Sequence, residues 1–119
     1  MEVIQEQYFE KREYPRIDLE TQVTIKTNNN DALIPGWIQN ISRGGFKLKA
    51  DIPLNFKDIF HTGDEVYFET YEDFFRLKGR GKIRWTSVRE NEAGIKFDEI
   101  DIKSKNFLDA FWEVIEGRP

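Results

Sequence analysis

The sequence contains no cysteine and only one histidine, His61, among its 119 residues. The lack of cysteine excludes disulfide bonds, thiolate metal sites and cysteine nucleophiles, and a single histidine excludes a multi-histidine metal centre. No apolar run is long enough to span a bilayer, and the charged first 16 residues are unlike a secretion signal. We therefore expect a cytoplasmic protein without membrane insertion, bound metal or cofactor.

Positive charge is also in short supply, since 18 basic residues face 22 acidic ones and give a net charge of −4. Duplex nucleic acid is bound by neutralising many phosphates, which an acidic domain does poorly, so no nucleic-acid polymer is expected as a partner. A small ligand with one or two phosphates needs only two or three arginines. The positions of the arginines therefore matter more than the total charge.

Core-forming residues are plentiful, with ten Phe, four Tyr and three Trp among 39% hydrophobic residues. A chain of this length fits one domain with one core. Residues 1–16 show no sustained period, and we predict a flexible N-terminal arm there. The folded unit is predicted over residues 17–119.

Alternating polarity predicts β-strands along most of this unit. In the first strand, one face carries Ile17, Leu19, Thr21, Val23 and Ile25. Further strands are predicted over residues 33–39, 46–50, 65–71, 75–88 and 93–100, with a turn from Asn40 to Gly45. The inner face of the long fifth strand is expected to carry Leu77, Gly79, Gly81, Ile83 and Trp85.

The period then changes to that of a helix over residues 103–116. Its apolar face contains Phe107, Leu108, Phe111, Trp112 and Ile115. Asp101 or Ser104 is expected to cap its start. A run of antiparallel strands followed by one helix favours a mainly β protein, a small six-stranded antiparallel β-barrel with a C-terminal α-helix.

Two short motifs stand out. The first is the Arg-x-x-x-Arg of Arg12 and Arg16, directly before the first strand. Arginines four apart are typical of a solvated helix face, but Pro15 disfavours a helix at the preceding residue. In an extended arm, both guanidinium groups would point the same way, at most about 13 Å apart, and suit a ligand over which the arm folds.

The second motif is the Asn-x-Ser-x-x-Gly formed by Asn40, Ser42 and Gly45. Such residues also make ordinary turns, since Asn and Ser bond nearby backbone and Gly tolerates unusual backbone angles. Each motif alone leaves a structural and a ligand-binding interpretation open. The ligand-binding interpretation depends on finding both.

Together the two motifs resemble the PilZ domain. The segments Gly81–Trp85 and Gly94–Phe97 are similar to that family's final strand pair, and the resemblance runs from about Lys11 to the terminal helix. It implies a six-stranded barrel with a C-terminal helix, in agreement with the periodicity. It also implies a bacterial receptor for the second messenger cyclic di-GMP, active in motility or biofilm regulation.

The resemblance further implies roles for individual residues. Arg12 and Arg16 would stack on guanine, bond its Hoogsteen edge or clamp phosphate, as arginine can. Asn40 and Ser42 would bond a guanine, and Gly45 would allow close backbone approach. Two further candidates for ligand contact are Lys11 and Arg43. Because an arginine at the position of Lys11 is thought to favour a stacked ligand dimer, the number of bound ligands stays open.

The expected function is non-catalytic: ligand binding orders the arm and alters a surface that an unidentified protein partner reads. No nucleophile with a base, paired acids or phosphate-binding glycine loop supports an enzyme. The alternative is a nucleotide-independent protein-interaction module on the same barrel, and a single-stranded nucleic-acid binder is disfavoured by the acidic charge. His61 is expected on the surface, and Trp37 and Trp85 in the core rather than in a nucleotide pocket.

Overall fold

The computed structural model describes residues 16–28, 31–52 and 55–116, so the proposed arm lies outside the described residues except for Arg16. The described part forms six strands and two helices. Their bounds are β1 (Ile17–Thr27), β2 (Ile34–Ser42), β3 (Gly45–Ala50), α1 (Phe56–Ile59), β4 (Glu65–Thr70), β5 (Lys78–Ser87), β6 (Glu92–Ile100) and α2 (Ile102–Glu116).

The strands close into a barrel in the order β1-β2-β3-β6-β5-β4. Every neighbouring pair is antiparallel, and β4 returns to β1, where Val23 pairs with Thr70 and Thr27 with Val66. The six-stranded antiparallel barrel with a C-terminal helix is thus confirmed. No described helix is both long and apolar enough to cross a membrane.

The barrel interior follows the alternation seen in the sequence. Val23 and Ile25 of β1 are fully buried, as the period-two pattern predicts. Aromatic rings fill the centre, where Phe46 meets Phe68 edge-on with ring centroids 5.1 Å apart. Burying each such ring contributes about 2 kcal/mol or more to stability.

Helix α2 is capped and anchored at its start. The predicted cap is confirmed, since the Asp101 side chain accepts a hydrogen bond of 2.8 Å from the Ser104 backbone N–H. The Ser104 hydroxyl in turn accepts one of 2.8 Å from the Lys78 backbone N–H at the start of β5. Leu108 and Trp112 are buried against the barrel, whereas Ile115 is 43% exposed. The helix start is therefore fixed to β5.

The chain turns within the predicted range from Asn40 to Gly45, but the predicted bounds of the turn are too wide. Strand β2 continues to Ser42 and β3 begins at Gly45, so only Arg43 and Gly44 lie between the strands. Asn, Ser and Gly favour turns locally, but backbone pairing across the two strands overrides that preference. Asn40 is therefore a strand residue, paired with Lys47.

The predicted fifth strand also differs. It begins at Lys78 rather than Phe75, and Phe75 instead forms an isolated bridge with Glu72. Register shifts between Ile83 and Trp85, which leaves one extra residue on β5. Such a bulge reverses the inside-outside alternation beyond it. The prediction that Trp85 lies on the inner face is therefore wrong, and its side chain is 38% exposed.

Candidate ligand-binding site

A pocket of about 330 Å³ opens between the β2–β3 hairpin and the strands β5 and β6. Its lining combines residues from both sequence motifs with residues of β5 and β6. The lining residues are Arg16, Asn40, Ser42, Gly44, Gly45, Phe46, Lys47, Arg84, Trp85, Gly94, Ile95 and Lys96.

Strand pairing explains why Arg16 meets the second motif. Ile17 pairs with Ile41 and Asp18 with Asn40, so the residue before β1 lies beside the end of β2. The pocket consequently brings Arg16 together with Asn40 and Ser42, which follow it by 24 and 26 positions in the sequence. Lys11 and Arg12 lie outside the described residues.

The turn at the pocket rim is held by its own hydrogen bonds. The Ser42 hydroxyl accepts one of 3.3 Å from the Gly44 N–H and contacts the Gly45 carbonyl oxygen at 3.5 Å. A Cβ at Gly45 would collide with the Ile95 carbonyl oxygen. Ser42 and Gly45 therefore have a structural role in addition to lining the pocket.

The pocket wall is cationic beyond what the motifs contain. Arg84 and Lys96 line it, and neither has a carboxylate within 4 Å among residues 16–28, 31–52 and 55–116. Lys47 lies 3.7 Å from Glu92, which does not line the pocket. No acidic residue belongs to the lining. The pocket is therefore a positive region in an acidic chain.

Sequence reasoning missed Arg84, Lys96 and Lys47 as site residues. The first two lie in the segments that carried the family resemblance, but nothing in the one-dimensional pattern placed them beside Arg16. The β5–β6 register brings them there, because Trp85 pairs with Gly94 and Lys82 with Lys96.

Trp85 supplies a flat aromatic wall. A Cβ at Gly94 would overlap the indole, so the ring lies directly on the backbone of β6 at this glycine. The other part of the side chain remains exposed towards the pocket. An indole held in this way can stack on a planar ring.

Arg43 does not line this pocket. Its guanidinium donates a hydrogen bond of 2.6 Å to Glu116 and lies 5.3 Å from the ring centroid of Trp112, both on α2. His61 is exposed and lies 3.1 Å from Asp64. Trp37 of β2 is half-buried. Within the described part of the chain, no cluster of three or more His, Asp or Glu residues suits a metal ion.

A larger cavity of about 490 Å³ lies on the outside of the wall formed by β1, β4, β5 and β6. Its lining contains three cations and three carboxylates: Lys26, Lys78, Arg80, Glu69, Glu99 and Asp101. Arg80 lies 2.9 Å from Glu65 and 3.0 Å from Glu99. The hydrogen bonds from Arg80 to Glu99 and Glu65 raise the pKa of its guanidinium above the ordinary value. This cavity is larger but electrostatically balanced, and the smaller pocket is the better site for an anion.

The comparisons agree with this architecture. Residues 10–113 match the family of the PilZ domain. The inhibitor of motility MotI/DgrA from Bacillus subtilis superposes with a TM-score of 0.62 at 17% identity, over 91% of this chain and 53% of that one. The chain thus spans about half the length of that protein.

A second similar structure is the PilZ domain of CeSA from a cellulose-synthesizing bacterium. It has a TM-score of 0.59 at 16% identity, over 87% of this chain and 96% of that one. No curated protein sequence matches the chain. At these low identities the structural likeness shows the fold alone. Membership of the family is shown by the match over residues 10–113. The chain belongs to the PilZ domain family, a family of cyclic di-GMP receptors.

Proposed function

We propose that this protein is a non-catalytic receptor that binds cyclic di-GMP in the pocket of Arg16, Asn40 and Ser42. The observation that carries the proposal is the meeting of these residues, from two separate motifs, around one cationic pocket. Four basic side chains line it and no acidic one does, in a chain of net charge −4. An anionic ligand fits such a field.

The ligand offers two phosphates and two guanines, and the pocket has partners for both. Arg16 and Arg84 can each pair with phosphate through two parallel hydrogen bonds, and Lys96 adds a point charge. Trp85 can stack on a guanine, while the Asn40 amide can bond its edge. Together these groups recognise the phosphate and the base at once.

Signalling in this proposal runs through the segment 1–16. Arg16 lines the pocket and directly precedes β1, so the segment 1–16 ends beside the pocket. The ligand draws Arg12 over the pocket and orders the segment upon it. The remade surface is then read by a protein partner.

The direct test is calorimetric titration of the intact chain with cyclic di-GMP, with cyclic GMP as the matched ligand control. Saturable binding tighter than about 100 μM is expected for cyclic di-GMP only, since the control carries one phosphate and one guanine. Absence of binding at that concentration would reject the receptor and favour the nucleotide-independent interaction module.

A further inference from the structure

Arg43 lies between two residues that line the pocket, Ser42 and Gly44, yet its side chain points to the end of α2. There it forms an ion pair of 2.6 Å with Glu116 and covers the ring of Trp112 at 5.3 Å. The pocket rim and the C-terminal end of α2 are thereby joined through one side chain.

The backbone of the turn does not depend on this contact. The Gly44 carbonyl oxygen accepts a hydrogen bond of 2.9 Å from the Phe97 N–H, and Ser42 pairs with Gly45. The Arg43 side chain can therefore change its torsion angles while the turn stays in place. Only its contacts with α2 would be lost.

The contact with α2 is of a kind that an anionic ligand can displace. The side chains of Arg43 and Glu116 are 37% and 27% exposed, and ion pairs this accessible to water are weak. A phosphate in the adjacent pocket offers arginine two hydrogen bonds in a fixed geometry. Other cations of the pocket would hold that phosphate close to the turn.

We propose that α2 holds Arg43 away from the pocket through Glu116, until cyclic di-GMP competes with Glu116 for the Arg43 guanidinium. This inference rests on the proposed function. Transfer of Arg43 to the ligand uncovers Trp112, which is only 2% exposed while Arg43 contacts α2. Val114 and Ile115 beside it are already 78% and 43% exposed, so the release widens an apolar surface at the end of α2.

Competition has a measurable consequence for affinity. Where only part of the population is competent to bind, the apparent affinity is lowered by that fraction. Removing the Glu116 carboxylate frees Arg43 and should tighten binding by about two- to fivefold, the range of an exposed ion pair. Losing the arginine itself should weaken binding.

The experiment compares Glu116→Gln with Glu113→Gln by calorimetric titration with cyclic di-GMP. Both variants remove one carboxylate from the last turns of α2, so both relieve the same unfavourable interaction with the helix dipole. Of these two carboxylates, Glu116 is the one that forms an ion pair with Arg43 in the described structure. Tighter binding is expected for Glu116→Gln and wild-type affinity for Glu113→Gln.

A second measurement distinguishes coupling between the pocket and α2 from a contact of Arg43 that only stabilises the fold. Hydrogen exchange of the backbone over residues 107–116 should become faster when the ligand is added to the wild type. Arg43→Gln should exchange quickly without ligand, respond no further to it, and bind more weakly than the wild type. A purely structural Arg43 would leave ligand affinity unchanged.

Equal affinities for Glu116→Gln and Glu113→Gln would overturn the coupling while the receptor proposal stands. The same conclusion follows if the ligand leaves the exchange of α2 unchanged. A wild-type chain that binds no cyclic di-GMP overturns both proposals.

Discussion

Two regions of the barrel are rich in basic side chains but differ in whether carboxylates neutralise them. On the outer wall formed by β4, β5 and β6, basic side chains lie 2.9 to 4.0 Å from carboxylates, in the pairs Lys78–Glu69, Arg80–Glu65, Arg80–Glu99 and Lys82–Asp98. In the pocket, Arg16, Arg84 and Lys96 have no carboxylate within 4 Å anywhere in the described ranges.

The difference supports the pocket, rather than the wall, as the proposed ligand-binding site. A wall whose charges neutralise one another offers little to an outside anion. In the wall, the hydrogen bond from Lys82 holds the pKa of Asp98 below its ordinary value, as expected for an internal pair. The clustered positive charges of the pocket repel one another, and a bound anion relieves this repulsion. Net charge of the whole chain conceals this contrast.

The largest effect is expected from Gly45→Ala, which disrupts the close backbone contact between β3 and β6 beside the pocket. The new Cβ would run into the Ile95 carbonyl oxygen and force β3 away from β6. We expect a loss of about 3 kcal/mol in the free energy of unfolding in urea. Gly63→Ala is the control, since that Cβ meets open space and only the positive φ of 95° is strained. Its cost should be about 1 kcal/mol. Equal losses would refute the close strand contact.

Arg16→Ala should weaken binding of cyclic di-GMP roughly thirtyfold, because a charged hydrogen-bonding partner contributes about 2 kcal/mol. Calorimetric titration measures the change. Arg89→Ala removes an arginine that does not line the pocket, and should leave affinity unchanged. If both variants bind alike, the positive charge of the pocket is not what selects the ligand.

Asp101→Ala tests the side-chain cap at the start of α2. Hydrogen bonding by Ser104 lowers the pKa of the Asp101 carboxyl against the opposing effect of burial, and Arg76 lowers it further. A carboxyl with a lowered folded-state pKa stabilises the fold above its unfolded pKa, and this stabilisation is lost as pH falls through the folded value.

The variant should therefore lose about 1 kcal/mol of unfolding free energy at pH 7, as expected for a lost helix cap. The difference from the wild type should shrink below about pH 4. Denaturant unfolding at both pH values gives the comparison. A difference that stays constant with pH would show that the ionised carboxylate is not the stabilising form.

The smallest effects come from two lysines that face each other across β5 and β6, Lys82 and Lys96. Lys82 lies 2.9 Å from Asp98, whereas Lys96 lines the pocket. Lys96→Met should weaken ligand binding about fivefold with unchanged stability, and Lys82→Met should leave affinity unchanged. Parallel titrations and unfolding curves separate the two. The reverse result would erase the distinction between wall and pocket.

The sequence predicted the local structure better than the site. Alternation identified the buried residues of β1, and the helical period identified the capped helix α2, because both patterns are set by neighbouring residues. The position of Trp85 was missed, because the bulge before it arises from pairing with β6. Arg43 was expected at the ligand, and its contact with α2 depends on where a helix some 70 positions away ends.

Asn40 and Ser42 stood out as parts of a short motif whose residue types also form ordinary turns, and the family resemblance supplied their ligand-binding role. Arg84 and Lys96 belong to no motif of their own. They became candidates only when strand register placed them beside Arg16. Side chains that converge from distant strands cannot be recognised from spacing along the chain.

The most direct test of the account is a two-dimensional ¹H–¹⁵N spectrum of the protein titrated with cyclic di-GMP. The largest shifts should fall on the amides of Ser42 and Gly45 and on the indole N–H of Trp85. Signals of Tyr67 and Arg80 on the balanced wall should stay in place. Shifts centred on that wall, with the Trp85 indole unmoved, would contradict the proposed site.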